Sequence, residues 1–521
     1  MSTPLTMPAL LDDAAARFGD APAVVTDRAT ISWTQLRERA RRVARALVAV
    51  GVRPTNRVSV WAPNRVEFID SLLGLEYIGA SLVPLNSRYR GEEARVVLSR
   101  SGASALILCN GFLGNDYLEM LAPSLADLPR LRTVIDVGTG SAADAPFLTW
   151  ADFLARADEV PEEAIDEYAA AVTPDDVVDI LYTSGTTGVP KGVMSTHRKT
   201  IGVAAVWAQG ASLTPADRYA IVNPFFHSFG YKAGVVACMT AGTTIYPVET
   251  FDPVALMELI EKERITVLPG APTIFTTLIN HERRTDFDLS SLRFSIAGAA
   301  TVPERLFADM LEILGFEQVA QAYGLTECVV ATQSRPHEDP LHVAQTTGPA
   351  VPGLEIRVVD NEGQDVPVGA DGEIWIRGEY VMLGYFDDPE ATAAAIDPEG
   401  WLHTGDVGRL DEHGCVKITD RIKDMFTVGG FNVYPAEVEN ALSGHPDVIE
   451  SAVVGIDDER MGSVGRAYVI LRSGADLDAD ALRDFCRERF ANFKVPREFV
   501  AVAEFPRNAS GKILKKDLRP Q

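Results

Sequence analysis

Leu181-Tyr-Thr-Ser-Gly-Thr-Thr-Gly-Val-Pro-Lys-Gly-Val193 runs an apolar segment directly into a loop of glycines and small hydroxyl residues that ends on Pro190 and Lys191. Such a loop suits phosphate oxygens. Gly185 and Gly188 let the backbone approach closely and turn its N–H groups inward, Thr183, Ser184, Thr186 and Thr187 add hydroxyl donors, and Lys191 supplies a point charge. A mobile Gly-Ser linker would need neither the strand-like run before it nor the Pro-Lys-Gly after it. Nor is this a Walker A loop, because Gly-Lys-Ser/Thr is absent and the later Gly511-Lys512 is followed by Ile513.

Further segments carry residue types able to hold a nucleotide and an acid. In chain order they are Asn223-Pro-Phe-Phe-His-Ser-Phe-Gly230, Gln321-Ala-Tyr-Gly-Leu-Thr-Glu327, Gly372-Glu-Ile-Trp-Ile-Arg-Gly378 and Trp401-Leu-His-Thr-Gly-Asp406. After these come Asp420-Arg-Ile-Lys-Asp424 with Gly429-Gly430, and Pro506-Arg-Asn-Ala-Ser-Gly-Lys512. An aromatic beside a glycine, as at Tyr323-Gly324, offers a flat face and room for a purine. A carboxylate such as Asp406 accepts hydrogen bonds from vicinal hydroxyls, and an arginine such as Arg421 is a planar donor fork. Taken singly, Asp406 could be a turn acid, His227 a satisfied core histidine and Lys512 part of a solvated tail.

Together, in this order and over essentially the whole chain, the segments resemble the adenylate-forming superfamily of acyl-CoA synthetases, peptide-synthetase adenylation domains and beetle luciferases. The resemblance implies that Tyr323 stacks on adenine, flanked by Gly298, Ala299 and Ala300, with Ala322, Gly324 and Ile418 beside the nucleotide. It also implies that Thr326 bonds the α-phosphate, Glu327 and Thr186 hold Mg²⁺, and Asp406 and Arg421 take the ribose. Lys512 is then the catalytic lysine, whose cation bridges a carboxylate and the anionic α-phosphate it attacks. His227 gates an acyl pocket formed with Asn223, Phe225, Ser228, Phe229 and Gly298, Lys423 is a hinge, and Gly429 and Gly430 line a pantetheine channel.

These residues must be held by α/β elements. Leu36, Ala40, Val43 and Leu47 recur at helical spacing within 35–48, and a second helix is expected over 66–80. Strand-like runs at 81–84, 103–108 and 133–137 alternate with helices, which favours parallel sheets covered by helices. Runs at 177–182, 219–222, 266–268 and 294–297 are each followed by Gly or Pro and then by a helical stretch. Beyond Asp420 come strands at 448–456 and 467–472 and a helix near 478–490, enough for a separate small α+β domain. The expected fold class is α/β: a large N-terminal adenylation domain (1–421) of layered subdomains with a β-barrel-like part, a hinge at 422–423, and a mobile C-terminal domain (424–521).

Composition narrows the field. The chain has 521 residues, 46% of them hydrophobic and 23% charged, which is ordinary for globular proteins of more than one domain. No run approaches the roughly 18 apolar residues of a membrane span, and the N-terminus lacks a signal-like segment, so a cytoplasmic protein is expected. With 48 Lys plus Arg against 73 Asp plus Glu, the net charge of -25 would repel nucleic acid. The five cysteines are far apart and form no Cys-x-x-Cys pair, so neither a disulfide framework nor a structural zinc site is expected. Gly138-Thr-Gly-Ser-Ala-Ala143 imitates a dinucleotide fingerprint, but Asp144-Ala-Pro146 stands where a helix should begin.

The activity implied is that of an AMP-forming acid–CoA ligase using ATP, Mg²⁺ and CoA on a small carboxylic acid, with no nucleic-acid partner and with a homodimer allowed. The segments 223–232, 268–274 and 298–303 are most similar to actinobacterial ligases of steroid catabolism, which activate the bicyclic methylhexahydroindanedione propanoate. Medium-chain fatty acids, aryl acids and a carrier-protein acceptor are the alternatives. An oxygen-consuming luciferase-like enzyme and a non-catalytic nucleotide-binding module complete the field.

Overall fold

A computed structural model describes residues 4–138, 147–183, 190–298, 302, 304–421, 424–428, 431–458, 461–490, 492–507 and 512–518. The expected site residues Ser184, Gly185, Thr186, Thr187, Gly188, Ala299, Ala300, Lys423, Gly429 and Gly430 lie outside them, as does most of the 138–143 fingerprint mimic.

The first sheet has eight strands in the order Gly384–Tyr385, Lys191–Thr196, Val177–Thr183, Ser81–Pro84, Arg57–Trp61, Ala105–Leu108, Thr133–Asp136 and Leu148–Thr149. Its pairs from Val177–Thr183 onward are parallel, as the strand–helix alternation predicts. Where a helix is expected after residue 182, however, the chain returns as the antiparallel strand Lys191–Thr196, and Gly384–Tyr385 pairs antiparallel outside it. Thr183 and Lys191, on either side of the phosphate-type segment, therefore stand directly opposite one another.

Helix Trp33–Ala49 begins two residues earlier than its apolar stripe implies. Ser32 Oγ accepts from Gln35 N at 3.2 Å while Gln35 Oε1 accepts from Ser32 N at 3.0 Å, a reciprocal cap that fixes the first turn. Leu36, Ala40 and Leu47 on the stripe are fully buried. The next helix, Val66–Tyr77, stops short of residue 80 because Gly79 turns the chain at a φ of +66°.

Arg218–Ile221, Thr244–Pro247, Pro22–Val25 and Thr30–Ser32 form a second sheet, and Phe294–Ala297, Gln318–Leu325 and Cys328–Gln333 a third. The strand expected over 266–268 is only a bridge: Val267 pairs with Tyr219 on one side and Phe294 on the other, tying these two sheets together. Leu354–Val359, Gly372–Gly378, Leu402–Leu410 and Val416–Arg421 make an antiparallel meander in the place of the barrel-like part. The C-terminal region has its own sheet, ordered Phe431–Val433, Phe426–Val428, Gly462–Leu471 and Val448–Asp458, with Glu498–Ala501 parallel to Gly462–Leu471. Helices Pro435–Leu442 and Ala479–Arg487 close a separate apolar cluster there, including Val438, Leu442, Val453, Val469 and Leu482. Among the described residues, no helix is long and apolar enough to cross a membrane.

Candidate active site

The hairpin of Gln318–Leu325 and Cys328–Gln333 carries the nucleotide segment, with Leu325 opposite Cys328 so that Thr326 and Glu327 form its two-residue turn. A bulge falls between Tyr323 and Leu325. Gly324 is required there, because a Cβ would lie 2.0 Å from the carbonyl oxygen of Val329. Gln321 anchors the strand from behind, its Nε2 donating to the carbonyls of Val343 and Ala344 at 2.8 and 3.1 Å.

Asp406 reaches this hairpin from the meander. Tyr323 donates its hydroxyl to Asp406 Oδ2 at 2.6 Å, so two residues 83 positions apart meet in one place. The turn before Asp406 is built for that purpose. Thr404 Oγ1 donates to the Ile374 carbonyl at 2.7 Å and accepts from Asp406 N at 3.1 Å, while Glu373 Oε1 accepts from Gly405 N at 3.0 Å. Gly405 has a φ of +69°, which favours glycine. Asp406 is 3% exposed and pairs in register with Arg421, so the backbone of Arg421 lies on the neighbouring strand. Ile418 lies three residues before it, partly buried against the main core.

Glu327 has a partner that the sequence segments did not single out. Tyr385 donates its hydroxyl to Glu327 Oε1 at 2.8 Å, and Lys191 Nζ lies 5.0 Å from the centre of the same ring. Tyr385 thus sits between the end of the phosphate-type loop and the acid of the nucleotide hairpin. Burial, followed by the nearby Glu327 charge, pushes its phenol pKa far up, so it remains a donor. The available signal was Gly384-Tyr385 beside strand Lys191–Thr196, a pairing that only the third dimension supplies.

The aromatic segment folds tightly. A Cβ on Gly230 would meet the carbonyl oxygens of Asn223 and Pro224 at 2.3 Å. Buried Asn64, also missed from sequence, holds the segment: its Nδ2 donates to the carbonyls of Ile221 and Asn223, each at 3.0 Å, and its Oδ1 accepts from Phe225 N at 2.8 Å. Asn223 Nδ2 donates to the Pro269 carbonyl at 3.1 Å. Phe225 lies in the core against Phe68, and Ser228 is buried at the start of a short helix. Phe229 meets Trp207 edge-on with ring centres 5.3 Å apart, and Gly298 leaves 3.6 Å between a would-be Cβ and the Phe229 ring. Trp207 and Gly298 therefore gather around Phe229, next to His227.

His227 Nδ1 accepts from Phe229 N at 3.2 Å, placing the ring proton on Nε2, and burial pushes its pKa down to about 4. It is a neutral side chain at neutral pH. Fully buried His197, whose Nδ1 accepts from Met7 N at 3.2 Å, is likewise lowered to about 4 by burial. An unfolded histidine titrates near 6.5, so between that pH and about 4 the unfolded chain binds more protons and stability falls on acidification. His197 alone should cost about 2 kcal/mol by pH 5. His342, raised by its bond to Asp411, acts oppositely: its contribution is present below pH 6.5 and lost as pH rises through its folded value. Urea midpoints compared at pH 7.5 and 5 for the wild type and His197→Gln test this, and an unchanged slope in the variant would disprove the assignment.

Lys512 lies far along the chain, partly exposed, just before Ile513, which bridges back to Arg507. The Leu514 N–H donates to the Pro506 carbonyl at 2.8 Å, and Tyr468 donates to the Leu518 carbonyl at 2.7 Å, which fixes this terminal turn on the C-terminal sheet.

Residues 11–386 match the AMP-binding enzyme family and residues 437–512 the AMP-binding enzyme C-terminal domain. The chain belongs to the AMP-binding enzyme family. Its architecture is similar to that of a solved anthranilate CoA ligase, AuaEII, in complex with anthranoyl-AMP, with a TM-score of 0.88, 25% identity and coverage of 99% of this chain and 97% of that one. It is 49% identical, over 99% of both chains, to the 3-[(3aS,4S,7aS)-7a-methyl-1,5-dioxo-octahydro-1H-inden-4-yl]propanoyl:CoA ligase of Rhodococcus jostii (strain RHA1). It is also 46% identical, over 99% of this chain and 98% of the relative, to the enzyme of the same name from Mycobacterium tuberculosis (strain ATCC 25618 / H37Rv). The adenylate-forming resemblance met in the sequence is thereby established, and this member of the family is an AMP-forming acid–thiol ligase with ATP and CoA as co-substrates.

Proposed function

We propose that the acid is a keto-bearing bicyclic propanoate of the steroid-derived class named for the Rhodococcus and Mycobacterium relatives. The observation that carries this reading is similarity to both over almost the entire length of all three chains. The wall built by Phe229 and Trp207, with the neutral imidazole of His227 beside it, supports an alicyclic acid with polar substituents. In the first half-reaction a carboxylate oxygen attacks the α-phosphorus of ATP and pyrophosphate leaves. In the second, the CoA sulfur attacks the acyl carbonyl and AMP leaves.

Within this reading, Tyr323 and Asp406 define the nucleoside end, with Arg421, and Thr326 the phosphate. Glu327 and Thr186 would hold Mg²⁺. The fit rests on Glu327: a turn carboxylate with one oxygen oriented by Tyr385 suits a hard, oxygen-seeking cation. Magnesium would neutralise phosphate charge. Residues 1–421 bind ATP and acid; residues 424–521, swinging at Lys423, present Lys512 first and then the Gly429–Gly430 channel for CoA. A cytoplasmic location, with a homodimer allowed, completes the proposal.

The test is a carboxylic-acid panel with ATP, Mg²⁺ and CoA, reading AMP, pyrophosphate and acyl-CoA, with the indanedione propanoate beside fatty and aryl acids. The bicyclic acid should give the highest kcat/KM. A fatty or aryl preference would overturn the substrate assignment, and acyl-AMP accumulating without acyl-CoA would overturn CoA as acceptor.

A further inference from the structure

Behind the nucleotide hairpin lies a cluster that the ligase chemistry does not use. Glu338 precedes helix Pro340–Gln345, His342 lies within it, and Asp411 and Cys415 flank the turn between strands Leu402–Leu410 and Val416–Arg421. His342 Nδ1 is 2.7 Å from Glu338 Oε1, and Cys415 Sγ is 3.8 Å from the same oxygen. The donor atoms of Glu338, His342 and Cys415 all lie within 4.8 Å of one another. Both carboxylates are aimed by the backbone. Glu338 Oε2 accepts from Arg335 N at 2.9 Å, leaving Oε1 to face the histidine and thiol; Asp411 Oδ1 accepts from His413 N and Cys415 N at 2.9 and 2.8 Å, leaving Oδ2 at 2.6 Å from His342 Nε2.

We propose that Glu338, His342 and Cys415 form a binding site for a borderline-soft divalent cation, zinc in the first instance, with Asp411 as the outer carboxylate on the histidine. An imidazole nitrogen, a carboxylate oxygen and a thiolate are the ligand types zinc takes, and the thiol disfavours magnesium or calcium. Three protein ligands leave a fourth, water-filled position. Zinc bonds of about 2.0 to 2.3 Å place tetrahedral donors ~3.3 to 3.7 Å apart. The nitrogen–oxygen pair must therefore open by about 0.6 Å and the widest pair close by about 1 Å, movements within side-chain reach. A metal-bound histidine that donates its other N–H to a carboxylate is a recurrent second-layer arrangement, and Asp411 already occupies that position. Binding expels the proton shared by His342 and Glu338 and the thiol proton of Cys415.

The site would act as a staple. Helix Pro340–Gln345 holds Gln321, two residues before Tyr323, and the 411–415 turn joins the strands of Asp406 and Arg421. Zinc there would tie together the two elements that meet at the nucleoside end. Sequence spacing hid it, since the ligands lie at 338, 342 and 415 with no Cys-x-x-Cys pair.

Chelator-treated full-length protein should be titrated with Zn²⁺, and separately with Co²⁺, without ATP, beside Cys415→Ser and His342→Gln. The wild type should bind one zinc per chain at least tenfold more tightly than either variant and rise in Tm on binding. Its cobalt form should show a thiolate-to-metal charge-transfer band that Cys415→Ser lacks. The wild-type cobalt spectrum and His342→Gln keep the test decisive if Cys415→Ser fails to fold. No bound metal, no thiolate band, or equal affinity in wild type and His342→Gln would overturn the site. None of these outcomes bears on the ligase reading, which is assayed without added zinc.

Discussion

Lys512→Ala should lose adenylation by on the order of 10² to 10³ in rate while largely retaining thioester formation from supplied acyl-AMP. The asymmetry follows from charge. Attack of a carboxylate on an α-phosphate brings two anions together, and a positioned ammonium stabilises the charge shared between them more in the transition state than before it. Thiol attack on an already formed mixed anhydride has no such anion pair at the reacting centre. Structurally, Lys512 sits on the terminal turn braced by the Arg507–Ile513 bridge and by Tyr468, within the C-terminal sheet's territory and not on the nucleotide hairpin. The measurement is pyrophosphate release in one assay and acyl-CoA from synthetic acyl-AMP in the other. Equal loss in both would remove the assignment of Lys512 to the first half-reaction; unimpaired pyrophosphate release would remove it from catalysis. Lys512→Arg keeps the charge but changes its shape, and only partial recovery is expected because a planar fork does not replace a compact ammonium.

The candidate site was legible as segments wherever it is written in short contiguous stretches. Tyr323, Thr326 and Glu327 lie within five residues, and their hairpin turn follows from the local glycine and polar residues. The meeting of Tyr323 with Asp406 could be expected only through resemblance, because no periodicity links residues 83 positions apart. Tyr385, Asn64 and Trp207 escaped notice for a related reason: a tyrosine, an asparagine and a tryptophan have no distinctive spacing, and their roles arise from what the sheet edge or a neighbouring loop brings to them. The helices were read well where an apolar stripe repeats, as in Trp33–Ala49, and their ends poorly, because caps depend on single side chains such as Ser32 and Gln35. The strand expected at 266–268 shows the limit of composition. Thr266 and Val267 have strand-forming side chains, yet Thr266 Oγ1 is held by Asp217 at 2.8 Å and only Val267 bridges its neighbours.

Lys232→Met should destabilise the fold by about 3 to 5 kcal/mol, while Lys232→Met combined with Asp179→Leu should recover most of that loss. Lys232 is 1% exposed and lies on the π-helical turn Tyr231–Val236, directly after the aromatic segment. Its Nζ donates to Ser195 Oγ at 2.7 Å and stands 3.0 Å from Asp179 Oδ1, an ion pair off the hydrogen-bond axis. Asp179 Oδ2 accepts from Thr200 Oγ1 at 3.0 Å, and Tyr231 donates to Glu76 Oε1 at 3.1 Å, leaving Glu76 Oε2 without a hydrogen-bond partner among the described residues. Burial pushes the Asp179 and Glu76 carboxyls up and the Lys232 ammonium down, while the charge of Lys232 pulls Asp179 back towards its ionised form. Removing the lysine alone strands that charge in the core; removing both ends substitutes apolar volume for a pair that gains little over its desolvation cost. The single variant should also lose less stability at low pH, where Asp179 can take up a proton. Urea unfolding of the wild type, both single variants and the double variant closes the cycle, and additive losses would show that the pair is not coupled. Activity separates position from stability: Asp179 lies on the strand that feeds the phosphate-type loop, and Lys232 follows Tyr231, whose N–H donates to the His227 carbonyl. A double variant that regains its midpoint but keeps a raised KM for the acid would show that the buried pair also sets the pocket wall.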